Sequence, residues 1–373
     1  MSDAARGRDV AVQRVAVLGT GLVGGSIGLA LTARGVDVHG HDRDASRLAR
    51  AKELGAVTLT FDVLEDAVAG VDLVIVAVPV SAVAEVASAA LDAGASLVTD
   101  VGSVKGPVVR DIEVARPDLA SRFIGGHPMA GSEQEGVDGA RADLFVGATW
   151  VLTPTASTDE RAYTQLHEFV RSLGAEVVTI TPEHHDVLVA LVSHVPQLAA
   201  STLMDVATAH EEEHRTLLRL AAGGFRDMTR IAAGHPGIWP DILGANREAV
   251  LDALDAYLAA LQSARDLVAG DDRSGLLSLL ERARSARRSL PVGAAIANDL
   301  VELRIPVTDR PGVLAEVTTL AGRLGVNVAD VEIAHSLEGG AGVVVLVVAA
   351  DGAGALEAGL HDLGYATSRN ALP

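Results

Sequence analysis

The 373-residue sequence contains no cysteine, which rules out disulfides, thiolate catalysis and cysteine-bound zinc and suits a reducing compartment. Aromatic residues make up 3% against 49% hydrophobic residues overall, so any large core must be mainly aliphatic. Basic residues are outnumbered, 30 Lys and Arg against 49 Asp and Glu, for a formal net charge of −19. That balance argues against a nucleic-acid or anionic-membrane surface. An anionic substrate would need a local basic pocket set against an unfavourable overall field. Residues 1–12 are polar and alanine-rich, read as a disordered tail, and do not resemble a signal peptide. No run of about 18 apolar residues stands out, so no membrane span is expected and the sequence reads as cytoplasmic. Metal-site spacing is missing too. His184-His185 and Glu211-Glu212-Glu213-His214 lack an H-E-x-x-H pattern and read as solvated faces.

What is present is organised around residues 14–42. Val15, Ala16, Val17 and Leu18 form a short apolar run suited to a strand buried on both faces. Gly19, Gly21 and Gly24 follow as G-x-G-x-x-G. The first glycine permits a tight turn, the second lets a pyrophosphate approach the backbone, and the third lets helix pack on strand. Residues 22–34 read as that helix, so the N–H groups at Leu22 and Val23 would face the phosphates. Asp42 closes a second apolar strand, where an acid can bond both ribose hydroxyls. It favours NAD over NADP because it would repel a 2′-phosphate, with Arg43 beside it softening that preference.

From residue 13 to 180, apolar strands alternate with helical patterns, the signature of a Rossmann-like parallel sheet wrapped by helices. Strands are expected at 14–18, 36–41, 56–60, 72–78, 96–100, 122–125, 148–153 and 175–180. Val78 and Pro79 end one of them, with Ser81 as the next helix cap. Val78, Pro79, Gly102 and Ser103 stand beyond strand ends, where this fold binds ligands. From 181 to 298 the pattern is all-helical, broken at Gly223-Gly224-Phe225, with a long helix expected from Pro240 to Ala269. So much apolar helix suggests stripes buried between subunits, hence a homodimer. The arginines at 282, 284, 287 and 288 read as a solvated face. Residues 299–373 read as βαββαβ, a ferredoxin-like unit, with Val313, Leu314, Val317, Leu320 and Leu324 as one helix face.

The chemistry concentrates in four clusters: Gly102-Ser103-Val104-Lys105-Gly106, Gly125 to Glu133, Val192 to Gln197, and Gly223 to Arg230. A dehydrogenase oxidising a carbinol needs a base near neutral pKa, and His127 on a glycine-rich turn can supply one, oriented by Ser103. Arg226 and Arg230, four apart, would share a helix face as donors to an anion. Singly, each has a structural reading: His127 as a turn residue, the arginines as surface, His194 as a satisfied core histidine.

Together, Gly-Thr-Gly-Leu-Val-Gly-Gly-Ser, Gly-Ser-Val-Lys-Gly, Gly-Gly-His-Pro-Met-Ala-Gly-Ser-Glu, Ser-His-Val-Pro and Gly-Gly-Phe-Arg-Asp-Met-Thr-Arg resemble the prephenate and arogenate dehydrogenases of tyrosine biosynthesis. The resemblance covers about residues 14–269. The last unit resembles an ACT domain through Asp309-Arg310-Pro311-Gly312 and Asn327. The resemblance implies NAD-dependent oxidative decarboxylation of prephenate to 4-hydroxyphenylpyruvate, with arogenate, or both substrates, as the alternative. It implies His127 as the base, Ser103 positioning it and the nicotinamide, and Arg230 on the ring carboxylate. His194 and Arg226 would face the side-chain carboxylate, with Ser132 and Glu133 at the rim. Arg226 stands where the family has lysine, and Gln197 where many members have histidine. Gly312 and Asn327 would bind an aromatic amino acid, tyrosine, as effector; an oligomerisation module without ligand is the other reading of that unit. Two further readings are a hydroxyacid- or imine-type reductase and a non-catalytic nucleotide sensor.

Overall fold

The computed structural model describes residues 12–131, 134, 136–209, 223–289, 300–308, 310–335 and 341–371. It forms two compact units, one ending at Leu261 and one beginning at Gln262.

The first unit carries an eight-stranded sheet. Its strands are β1 (Arg14–Leu18), β2 (Asp37–His41), β3 (Leu59–Thr60), β4 (Leu73–Val76), β5 (Val98–Asp100), β6 (Phe123–Pro128), β7 (Thr149–Thr153) and β8 (Glu176–Thr179). Helices α1 (Leu22–Thr32), α2 (Ala45–Glu53), α3 (Leu64–Val68), α4 (Val80–Asp92), α5 (Gly106–Ala115) and α6 (Glu160–Ser172) lie between them in sequence. The spatial order is β3-β2-β1-β4-β5-β6-β7-β8, parallel throughout except where β6 meets β7. This is a Rossmann-like doubly wound sheet whose strand order reverses between β1 and β4. Alternate side chains of one strand feed opposite layers. Val15 and Val17 join Ile27, Phe145 and Trp150 on one side, while Ala16 and Leu18 join Val83, Leu91 and Ile112 on the other. Two buried faces explain why these strands read as unbroken apolar runs. Each fully buried Val, Leu or Ile contributes about 1.5–3 kcal/mol to the core.

Strand β4 stops at Val76, short of the expected residue 78. Pro79, not Ser81, is the N-cap residue of α4; Ser81 lies in the first turn and donates to Asp241 Oδ2 at 3.0 Å.

From Pro182 the chain is helical: α7 (Pro182–Val189), a π turn (Ala190–His194), α8 (Val195–Thr208), α9 (Gly223–Thr229), α10 (Trp239–Ala245) and α11 (Arg247–Ala269). Gly223-Gly224-Phe225, expected as a break, opens α9. The helix expected to run unbroken from Pro240 is interrupted at Asn246, which is 5% exposed and turns inward to donate to the Asp186 carbonyl at 2.8 Å. The stretch Pro182–Thr208 is a 27-residue helical run. By length and composition it is long and apolar enough to span, with 33% of its most apolar window buried in the protein. Val187, Leu191, Val192 and Val206 remain exposed along it. Glu211 to His214 lie outside the described residues.

The second unit contains α12 (Arg273–Arg288), β9 (Leu300–Thr308), α13 (Val313–Arg323), β10 (Val328–His335), β11 (Ala341–Ala349), α14 (Ala350–Asp362) and β12 (Ser368–Ala371). The arginines of α12 are exposed, as a solvated face should be. The four strands pair antiparallel in the order β10-β11-β9-β12, the ferredoxin-like βαββαβ arrangement. Its core is Leu303, Ile305, Val317, Leu346, Leu356 and Leu360. The buried face of α13 is narrower than the sequence pattern suggests: Val313 and Val317 are buried, but Leu314 and Leu324 are exposed. Gly312 starts that helix at φ +94°, a conformation that favours glycine.

Candidate active site

Strands β1, β4, β5 and β6 run parallel, so their C-terminal ends share one edge of the sheet. The glycine turn, Val78 and Pro79, Ser103 and His127 all follow or end those strands. A Cβ on Gly19, at φ +100°, would stand 2.3 Å from the Ala77 carbonyl oxygen, and one on Gly24 would stand 2.0 Å from the Gly19 oxygen. The protein's own packing therefore demands both glycines. Gly21 differs, because a Cβ there would meet nothing within 4 Å. Its bareness leaves open space at the start of α1, whose N-cap position, Gly21, provides no side-chain acceptor for the N–H groups of Leu22, Val23 and Gly24. Such a cradle fits a dinucleotide pyrophosphate. Asp42 is buried at the adjacent strand end. Its Oδ2 accepts from Thr20 N at 2.7 Å and Thr20 Oγ1 at 3.1 Å, and its Oδ1 accepts from Asp44 N at 2.9 Å. The carboxylate is thus fixed toward the turn. The arginine paired with it is Arg47, at 3.7 Å, while Arg43 is exposed.

Beyond β5 stands a fully buried ion pair, Lys105 with Asp100. Lys105 Nζ also donates to the Gly126 carbonyl at 2.8 Å, and Gly126 N donates to Asp100 Oδ1 at 3.1 Å. Burial pulls the ammonium's pKa down and Asp100 opposes it. Losing either partner would strand a buried charge at a cost of about 3–5 kcal/mol. The pair brackets Gly126 and so fixes the backbone that presents His127. Close packing around it explains the neighbouring glycines. A Cβ on Gly126 would lie 2.6 Å from the Asp100 carbonyl oxygen, and one on Gly125 would lie 2.4 Å from Thr153 Oγ1.

His127 is half-buried on β6. Its Nδ1 lies 2.9 Å from His185 Nε2, and the two rings meet edge to face. His185 Nδ1 lies 2.8 Å from Asp186 Oδ1. Asp186 in turn accepts from Lys105 N at 2.8 Å and Gly106 N at 2.7 Å, capping α5 from another part of the chain. Gly106 is glycine for this reason: a Cβ there would stand 2.9 Å from Asp186 Oδ2. Desolvation holds the His127 pKa well below the usual imidazole range, with His185, Lys105 and His194 adding to the effect. His127 is therefore neutral, and able to accept a proton, at neutral pH.

His194, 1% exposed, ends the π turn, with Asn246 Nδ2 3.3 Å from its Nδ1 and Trp239 edge-on to its ring. Burial drives its pKa down to about 4, Asp186 opposing and His185 assisting, so it offers a hydrogen bond rather than a positive charge. Pro196 explains the widened turn, since it lacks the N–H a regular helix would use there.

Two expected placements change. Among the described residues no hydrogen bond joins Ser103 to His127, and His185 makes the orienting contact instead. Arg226 and Arg230 do not share one helix, because α9 ends at Thr229 and Arg230 opens a 3-10 turn. Both arginines are exposed, on elements packed against α8. Ser132 and Glu133 lie outside the described residues. His185, expected on a solvated face, is 1% exposed. In the second unit, Arg310 bonds Glu316 Oε2 at 2.8 Å and Tyr365 bonds the same oxygen at 2.6 Å; Asn327 is exposed.

This arrangement has counterparts. The model of the prephenate dehydrogenase nucleotide-binding domain matches residues 27–179, and that of the prephenate dehydrogenase dimerization domain matches residues 181–282. A prephenate dehydrogenase of Bacillus subtilis is 34% identical over 334 residues, covering 87% of this chain and 89% of its own. The chain belongs to the prephenate dehydrogenase family. A cyclohexadienyl dehydrogenase of Zymomonas mobilis is 34% identical over 283 residues, 74% of this chain and 96% of its own. A solved prephenate dehydrogenase from A. aeolicus, in complex with hydroxyphenyl propionate and NAD+, shares 31% identity at a TM-score of 0.69, covering 75% of this chain and 99% of that one. As a member of this family the chain is an oxidoreductase with a Rossmann-like nucleotide-binding domain.

Proposed function

We propose that this chain oxidises prephenate with NAD, releasing the ring carboxylate as carbon dioxide and forming 4-hydroxyphenylpyruvate. The observation that carries the reading is His127. It is a neutral imidazole at the same sheet edge as the glycine turn, with one ring nitrogen held by His185. NAD, when bound, accepts the hydride from the ring carbinol carbon. His127 takes the carbinol proton, so the oxygen becomes a carbonyl and the ring a dienone. The carboxylate carbon then departs as carbon dioxide, its bonding electrons completing the aromatic ring, and the imidazolium returns the proton to the phenolic oxygen. Aromaticity drives that step, so the protein need only orient, bind anions and move one proton. Ser103 would stand beside the nicotinamide, Arg230 on the ring carboxylate, and Arg226 with His194 on the side-chain carboxylate. Gly19, Gly21, Leu22, Val23, Gly24, Asp42, Val78 and Pro79 would hold the nucleotide. Steady-state kinetics with prephenate and arogenate, each with NAD and NADP, test the reading; inactivity with both substrates overturns it.

Two further parts of the reading concern assembly and control. The exposed apolar side chains along 182–208 would be covered in a homodimer. The βαββαβ unit would act as an ACT domain that binds tyrosine near Gly312 and Asn327.

A further inference from the structure

We propose that His185 and Asp186 are positioning residues that hold His127 in the Nδ1–H tautomer and thereby make Nε2 its basic nitrogen. The inference rests on His127 being the base, and it assigns which of its atoms does the work. The argument begins at α5. Asp186 accepts from two backbone N–H groups at the start of that helix, where the helix dipole also favours negative charge. A carboxylate so placed is an acceptor only. His185 Nδ1, 2.8 Å away, must therefore carry a hydrogen and donate it. In a neutral His185 that leaves Nε2 bare, and the group facing it at 2.9 Å is His127 Nδ1. Two bare nitrogens cannot bond, so His127 Nδ1 carries the hydrogen and its Nε2 keeps the lone pair. Water favours the opposite tautomer of a neutral histidine, so the relay does chemical as well as geometric work. When Nε2 takes the carbinol proton, the cation that forms still donates through Nδ1 toward His185, and the negative end of the relay is Asp186. Lys105 Nζ and His194, the other titratable groups acting on His127, form no hydrogen bond with either of its nitrogens.

The experiment is nitrogen-15 NMR of histidine-labelled full-length protein, with the His127 signals assigned by their loss in His127→Asn. Wild type should show a protonated Nδ1 and a bare Nε2. His185→Leu should release the ring to the Nε2–H form and lower kcat on the order of 10–100-fold, the usual cost of losing a residue that orients a reacting group, with KM for prephenate little changed. His185→Gln, whose carbonyl can still accept from Nδ1–H, should recover most of both effects, which a purely structural role would not predict. A wild-type ring protonated at Nε2 overturns the proposal, as does a His185→Leu protein with wild-type kcat. The tautomer is read without turnover. A wild type that fails to oxidise prephenate yet shows the Nδ1–H form would refute the substrate and leave the relay standing.

Discussion

His127 and His194 differ in what burial does for them. For His127, desolvation keeps the ring unprotonated and so able to act as a base well below the ordinary imidazole pKa. The acid limb of the kcat/KM profile should therefore lie below pH 6.5, and His127→Asn should cost about 10²–10⁴ in kcat while NAD binding, measured by fluorescence titration, persists. A nucleotide sensor would have no turnover to lose. For His194, burial carries a stability consequence. Its folded pKa of about 4 lies below its unfolded value of 6.5, so the unfolded chain binds the extra proton first as the solution is acidified. Stability contributed by the neutral ring is full above pH 6.5 and is lost as pH falls toward 4, by about 3 kcal/mol in total. Urea unfolding between pH 7 and pH 4 should show that slope, and His194→Gln should flatten it. At this scale, residues whose role is local were readable in sequence. Gly19, Gly24, Asp42 and His127 announce themselves by their neighbours in the chain. His185 and Asp186 did not, because their partners lie 58 and 80 residues away. A signal was present: Val189 and Ala190 are buried, and one helical turn back from them on that face stand His185 and Asp186.

At the scale of elements, the glycine turn separates what the protein needs from what a ligand needs. Gly24→Ala sets a methyl group against the Gly19 carbonyl and should unfold or distort the β1–α1 turn. Gly21→Ala meets no protein atom, and at φ −73° its backbone strains no side chain. It should change stability by less than about 1 kcal/mol, while NAD affinity falls. Thermal denaturation with and without NAD separates the two. A Gly21→Ala protein that binds NAD normally would count against the pyrophosphate cradle. The strands that form this turn were legible because both faces are buried and the apolar run is continuous. Helix boundaries were less so. Asn246 interrupts α10 and α11 to bond Asp186, and no periodicity in that stretch announces a contact with α7.

At the scale of the molecule, the apolar helix Pro182–Thr208 has two conflicting demands, length enough to span a membrane and residence in a dehydrogenase. The proposed homodimer would cover its exposed apolar side chains. Val187→Asp with Leu191→Asp should shift sedimentation at micromolar concentration toward monomer, and a double variant that stays dimeric would place the interface elsewhere. The C-terminal unit makes a separate prediction. Truncation after Asn298 should abolish inhibition by tyrosine, and inhibition that survives would put the effector at the catalytic site. The βαββαβ order was legible from its strand spacing and turn glycines. The compact division at Leu261 was not, because α11 runs across it without a change in composition.

A carboxylate that closes the N-terminus of one helix, steadies an imidazole next to it and takes part of its setting from Asn246 couples three stretches of sequence to one proton. Drift in any of them is felt at the others. An engineered exchange of the helical portion for that of a relative would therefore have to carry the α5 start and the end of strand β6 with it, or arrive with the proposed base facing the wrong way.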